Sequence, residues 1–549
     1  MSNNVGRNSN DNYREAYTFL ERSQIDPGNN IVVPVLQDIQ GNILKSHGRT
    51  YSIYLFLHFD CARAEATKKW IGNFAEQYVV SAKKQQEQSK AYKEASENPQ
   101  KIPPQNLFVN FSLSFKGYVA LGLGAEANFR KTRQQNIDNR ESNFPRCHPF
   151  EEGMFKNLKT LKDKKGDWEP EYLQNKTHAL ISLAHSDANS LWQETNKTIS
   201  EIEADKSKIE IIKHEIGLVR RNDKHQPVEP FGFTDSISQP LFFKTDLDRV
   251  KDRDKWNPSA NLRLVLNVDP FGNQFEDEKG NKYSYGSFLA YRKLEQNVEG
   301  FNNRVRELAC ELEETEQLIR AYSMGRFRED GRPVAIHRDL DSSEDNGIEL
   351  NNFNYGEGDD FKNTSRWKCP FHAHIRKVNS RAISDEVHDL DYEDEPENQR
   401  KRRIVRRGTT YGLPEENYTS LLSKATKENF KHYQDLSKKL AEKLKVELEQ
   451  DKEGILFFCF QTDLAAQFEK LQDYANSEKF GPRKREDHGA DPIAGQNDKE
   501  EWPVQKWPRQ WGDSENPVDD FDFFGYVTPR GGEYFFTPSL SFLKSLKEE

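Results

Sequence analysis

Cysteine is scarce in this chain and unpaired in its spacing. Cys61, Cys147, Cys310, Cys369 and Cys459 are scattered over 549 residues with no CxxC among them. Such an odd, sparse set fits a reducing compartment and excludes a disulfide framework or a cysteine-based zinc site. No run of eighteen or more apolar residues exists, so no transmembrane helix is expected. Residues 1–24 hold no apolar core of signal-peptide type, which leaves the cytoplasm as the expected address. A glycine-rich phosphate loop and low-complexity repeats are also missing. The 80 basic and 90 acidic residues are intermixed and leave a net charge of −10. There is thus no basic footprint, and neither nucleic acid nor a membrane is an expected partner.

Aromatics, by contrast, are plentiful: 35 Phe and 20 Tyr in a chain that is 34% hydrophobic and 31% charged. A disordered chain would not carry them. The length is enough for two to four domains with a sizeable core. Residues 1–30 read as a polar, loose tail. Strand patterns follow at 51–59, 106–115, 177–185 and 208–219. Helical patterns begin near Ala62 and at 187–206, the latter with Asp187 and Asn189 as candidate caps. The charged run at the end of the first helix reads as a solvated face. The order β-α-β-β-α-β is the ferredoxin-like motif, with 116–176 inserted between its second and third strands.

The second half repeats the pattern with larger insertions. A strand at 286–296 leads into a charged helix through Met324. Strands follow at 402–412 and 454–463, the last running into another helix. Segments 335–366 and 380–401 are acidic and loop-like. The acidic cluster near 390 lacks the glycine and spacing of a calcium loop. The expected division is a tail (1–30), an N-terminal ferredoxin-like domain (31–225) and a C-terminal one (226–549).

Three residues could carry chemistry, and each alone also fits a structural role. His374 lies in CPFHAHIRK (369–377), two positions from His372, so the two would share a face of an extended segment. Asp235 in GFTDSISQP (232–240) fits a turn or cap. Arg406 sits in a basic run.

Together the surrounding motifs resemble the dye-decolorising peroxidases. GFTDSISQP is similar to that family's GFxDGxxxP, GSFLAYRKLEQ (286–296) to GSFLVFRKLEQ, CPFHAHIRKVNSR to CPFxAHIRxxNPR, and RRGTTYG (406–412) to RRGxPYG. DIQGNIL (38–44), MGRFREDGRPV (324–334), FQTDLAAQFEKLQ (460–472), DPIAGQ (491–496) and RGGEYFFTPS (530–539) follow the same order. The resemblance spans roughly 35–545, with charged insertions typical of the larger branches.

The resemblance implies an α+β fold of two ferredoxin-like domains, of the dimeric α+β-barrel type. It implies one haem b per chain, held mainly by the C-terminal half. The implied activity is peroxidase: hydrogen peroxide is reduced, and bulky dye-like or phenolic donors are oxidised through a ferryl species. His374 is the implied axial iron ligand, because the family ligand directly precedes IRK. Asp235 and Arg406 are the implied distal acid–base and charge-stabilising groups, and Phe233, Ser287 and Arg292 are implied cofactor contacts. A ligating histidine usually gives its second N–H to a carboxylate, and Asp463 is the candidate here. The chain departs from the pattern at Ser236 for glycine, Thr410 for proline and Tyr285 for asparagine. If position 236 needs positive φ, Ser236 is strained and could displace Asp235. A non-catalytic haem carrier or redox sensor is the alternative, since it would keep His374 without needing Asp235 and Arg406. A third reading is an interaction protein on the same scaffold.

Overall fold

The computed structural model describes residues 14–96, 106–124, 129, 149–250, 257–278, 280–340, 350, 351, 353, 365–379, 396–448, 452–480, 483–487 and 489–548. The first half runs α1 (Arg14–Leu20), β1 (Tyr51–His58), α2 (Ala64–Tyr78), β2 (Phe108–Leu113), β3 (Ala179–His185), α3 (Ala188–Ala204) and β4 (Glu210–Leu218). The second half runs β5 (Tyr285–Gln296), α4 (Val298–Leu312), α5 (Glu316–Met324), α6 (His374–Val378), β6 (Val405–Arg406), β7 (Thr409–Tyr411), α7 (Lys424–Leu444), β8 (Gly454–Gln461), α8 (Lys470–Asn476) and β9 (Val527–Thr537). The cap expected at Asp187 is present, its carboxylate accepting from Ser190 N at 2.8 Å.

Within each half the strands order as fourth-first-third-second, the ferredoxin-like arrangement: β4-β1-β3-β2 and β9-β5-β8-β7. The halves join where β9 pairs with β2 and β7 with β4, so eight antiparallel strands close into a barrel. Closure buries both faces of the strands, one inside and one beneath helices. That explains why YSIYLFLH reads as a continuous apolar run instead of an alternating one. Val405 to Tyr411 keep a single register along β8, with Arg406 opposite Cys459 and Thr410 opposite Ile455. Adjacent residues of a strand face opposite ways. Arg406 therefore points away from the barrel position occupied by Arg407, which lines a small internal cavity with His47 and Tyr54.

Several expectations shift. The loose tail contains α1, with Ala16 and Leu20 fully buried. Its anchor is Tyr285, which stacks on Phe19 at 5.5 Å and donates its hydroxyl to the Ala16 carbonyl at 2.9 Å. The single helix expected through Met324 is two, broken where Glu313 turns left-handed (φ 54°) and Thr315 caps the second. β9, unassigned from sequence, is a central strand beside β5. Of the segments expected as acidic loops, 335–366 and 380–401, residues 341–349, 352, 354–364 and 380–395 lie outside the described residues, while Pro396–Lys401 is a short helix and not a loop.

Charge enters the buried face of β5 only with a partner. Lys293 meets Glu169 at 2.8 Å and Glu215 at 3.1 Å. Arg292, expected on the cofactor, is instead committed to Asp163 and donates to Gln472 Oε1 at 2.9 Å. Asp163 belongs to the 116–176 insertion, so that insertion supplies the counter-charge to a barrel strand. Both members are nearly inaccessible, and removing one partner of such a pair strands the other charge. Arg292→Met should cost about 3–5 kcal/mol of stability, measured by chemical denaturation. A cost below about 1 kcal/mol would show that the pair is not the buried unit described.

Candidate active site

The loop that carries Asp235 is a tight hairpin fastened by its own first residues. Glu229 accepts from Phe231 N at 3.0 Å and Phe233 N at 2.9 Å, and Asp235 N donates to the Pro227 carbonyl at 2.8 Å. Gly232 has φ 94°, and a Cβ there would lie 2.7 Å from Arg328 Cδ, so only glycine fits. Burial pushes the Glu229 carboxyl up to about 7.

Ser236 does stand at positive φ, 67°. Asp235 nevertheless faces the expected partner. Its Oδ1 accepts from Ser236 N at 2.6 Å and lies 4.0 Å from Arg406 Nη2. Arg406 is in turn held by Nη2 donating to the Ile237 carbonyl at 3.1 Å, and its backbone N–H donates to Gln239 Oε1 at 3.2 Å. Two groups 171 positions apart in sequence thus meet at one partly exposed point.

His374 opens α6, which removes the two-residue ambiguity. Because the helix starts there, His372 and His374 do not share a face. His372 is buried edge-on against Trp507, with ring centroids 4.3 Å apart. His374 Nδ1 lies 2.7 Å from Asp491 Oδ2, and its side chain is 21% exposed against 0% for Asp491. An ionised carboxylate only accepts, so Nδ1 carries the hydrogen and Nε2 keeps its lone pair. The other oxygen of Asp491 accepts from Ile493 N at 2.8 Å and Ala494 N at 3.0 Å, which fixes the carboxylate.

Asp463 is therefore not the partner of His374. It caps the helical turn after β8, accepting from Ala466 N at 3.0 Å. The signal for Asp491 was present in DPIAGQ, where an aspartate precedes a tight turn.

The turn at 325–334 joins the two sides. Arg326 Nη2 donates to Ser238 Oγ at 2.8 Å, while a Cβ on Gly325 would lie 3.3 Å from Ile375. Phe233, Phe327, Cys369 and Ala373 share one apolar cluster between them. Ser287 lies elsewhere: its hydroxyl donates to the Val265 carbonyl at 2.7 Å. Thr410 donates its hydroxyl to the Leu218 carbonyl in the seam between the halves. Trp507 is core, and Trp511 Nε1 donates to the Val334 carbonyl at 2.8 Å.

This donor set fits a haem. It offers one imidazole with a carboxylate behind it, an apolar cluster, and a separate acid–arginine pair. Among the described residues no group of three or more His, Cys, Asp or Glu is arranged to hold a bare ion.

Comparison with known proteins agrees. Residues 38–221 match the DyP dimeric alpha+beta barrel domain. The chain is 30% identical over 527 residues to the multifunctional dye peroxidase DyP2 of Amycolatopsis sp., covering 93% of this chain and 96% of that protein. It is 27% identical to a dye-decolorizing peroxidase of Auricularia auricula-judae over 71% of this chain and 70% of that protein. The crystal structure of a DyP-type peroxidase from Anabaena sp. superposes with a TM-score of 0.75 at 34% identity, covering 96% of this chain and 99% of the other. The chain belongs to the dye-decolorising peroxidase family, a class of haem peroxidases.

Two tests follow from the geometry. Asp491→Asn should loosen haem, since loss of such an outer partner typically costs about 10–100-fold in affinity. Asp463→Asn should leave haem retention unchanged. Transfer of haem to a competing acceptor protein reads both, and the reverse ranking would restore Asp463. Ser236→Gly should raise stability by about 1 kcal/mol by relieving the left-handed backbone, seen as a higher Tm. An unchanged or lower Tm would show that Ser236 is unstrained.

Proposed function

We propose that this chain reduces hydrogen peroxide on one haem b and takes the electrons from dye-like or phenolic donors. The observation that carries this reading is the approach of Arg406 to Asp235 at 4.0 Å, in a chain that also holds the His374–Asp491 couple. A haem carrier would need only the couple. The strand order supports a division into ferredoxin-like halves at 31–225 and 226–549, with α1 packed onto the second half. Among the described residues no helix is long and apolar enough to cross a membrane; the cytoplasm remains the proposed address.

Bound haem would supply the redox-active iron at which peroxide is reduced. His374 would hold that iron through Nε2, with Asp491 fixing the ring's orientation. Asp235 is the base that takes a proton from one peroxide oxygen and returns it to the other, which leaves as water. Arg406 keeps its charge throughout and offsets the negative charge that grows on the departing oxygen. Its tether to Ile237 holds that charge in place before peroxide arrives. Phe233 anchors the Asp235 loop in the apolar cluster beside it.

Asp235→Asn keeps the shape and removes the base, so the reaction with peroxide should slow by about 10²–10⁴-fold. Arg406→Leu should slow it by about 10²–10³-fold. Both should leave haem content unchanged. Stopped-flow absorbance of haem-loaded protein from acidic to neutral pH measures this. A slowing below tenfold in both variants would overturn the distal assignment, and a parent protein silent to peroxide would favour the haem carrier.

A further inference from the structure

Behind the Asp235 loop lies a cleft of about 180 Å³. One wall is Phe231 and Gly232, another comes from α4 and α5, and a third from the segment carrying Tyr418 and Leu421. Its charge is unbalanced: Arg220, Arg306, Arg320 and Arg328 line it against Glu229 and Glu316. Two of the arginines are matched. Arg220 pairs with Glu453, and Arg320 with Glu316 at 2.7 Å.

The other two are not matched in the same way. Arg328 lies 3.5 Å from its chain neighbour Glu329, feels the Glu229 carboxyl more weakly, and is 19% exposed. Its Nε is buried with no hydrogen-bond acceptor in this structure. Burial and the facing Arg320 both lower its affinity for its proton. Arg306 is exposed and, among the described residues, donates to Asn303 Oδ1 at 2.6 Å. A buried, unsatisfied guanidinium donor costs about 1–3 kcal/mol, more when charged, and a bound anion removes that cost.

The rest of the lining mixes Phe231, Val298, Leu421, Leu422 and the Tyr418 ring with the polar side chains of Asn302, Asn417 and Ser420. At about 10–15 Å³ per water-sized sphere the space takes roughly a dozen such spheres, enough for one substituted ring. We propose that this cleft binds a single-ring aromatic anion, a hydroxylated aryl carboxylate or sulfonate, as a reducing substrate. The acid head lies between Arg328 and Arg306 and the ring against Phe231 and Tyr418. This assignment rests on the peroxidase reading above. Each donor gives up one electron and its phenolic proton, and two donors reduce one hydrogen peroxide to two waters, leaving two phenoxyl radicals. The cleft shares Gly232 with the loop that carries Asp235 three residues on, so the donor is held close to the reacting side.

The test is calorimetric titration of the full-length, haem-loaded chain with benzenesulfonate, which cannot act as a phenolic donor. Inorganic sulfate and benzyl alcohol serve as the two controls. Binding of one benzenesulfonate per chain is expected, at least tenfold tighter than either control. Arg328→Gln and Arg306→Gln should each weaken it by about tenfold or more, as expected for loss of a charged hydrogen bond, and Arg328→Lys should restore part. Arg306 is exposed, so its variant separates binding from folding. In turnover, the ratio of KM for 4-hydroxybenzenesulfonate to KM for phenol should rise about tenfold in both Gln variants. Sulfate binding as tightly as benzenesulfonate would reduce the cleft to an inorganic-anion site and overturn the proposal. So would equal binding of benzyl alcohol, or affinities unchanged in the variants. The titration needs no peroxide: a chain that binds benzenesulfonate but ignores peroxide overturns the peroxidase reading and leaves the site standing.

Discussion

Closing eight strands into a barrel takes the charged side chains on their buried faces away from water, so each is met by a partner within the protein. The consequences run through the molecule. Lys293 draws Glu169 and Glu215 together, Arg292 fixes Asp163, and Arg220 binds Glu453 at the edge of β4. Arg407 has backbone carbonyls instead of an acid: its Nε donates to Asn42 O at 2.6 Å and its Nη2 to Ile43 O at 3.1 Å. Burial, with Arg406 next to it, brings its pKa down to about 9. The same strand thus commits one arginine to holding the halves together and turns its neighbour outward to the site.

The site depends on that commitment. With Arg407 fixed inward, the alternation of the strand leaves Arg406 only the opposite face, where the 232–240 loop meets it. The proximal side is built differently, from a short helix and a carboxylate held by two backbone N–H groups. Arg326 and Gly325 bind the two sides into one unit. A displacement of the 325–334 turn would therefore be felt at both Asp235 and His374.

Much of this was legible in the sequence. The ferredoxin-like order of the first half, the strand at 402–412 and the pairing of Asp235 with Arg406 follow from alternation and motif. What was not legible had physical causes. Asp463 follows an apolar strand and Asp491 precedes a tight turn, and only the path of the chain decides which reaches His374. Arg292 lies in a family motif, yet its role is set by a carboxylate 129 residues away in an insertion. α1 was hidden in a polar tail because its few apolar residues find their partners at Tyr285. Ser236 adopts the left-handed backbone that glycine would take more cheaply, and the loop holds through the bonds of Glu229 and Pro227.

The central claim is that His374, backed by Asp491, is the residue on which a haem depends. Absorption spectra of the haem-reconstituted parent, His374→Ala and His372→Ala test it most directly. The account expects His374→Ala to lose most of the bound haem or to change its spin state, with His372→Ala keeping the parent spectrum. Loss of haem in His372→Ala with an unaltered spectrum in His374→Ala would contradict it.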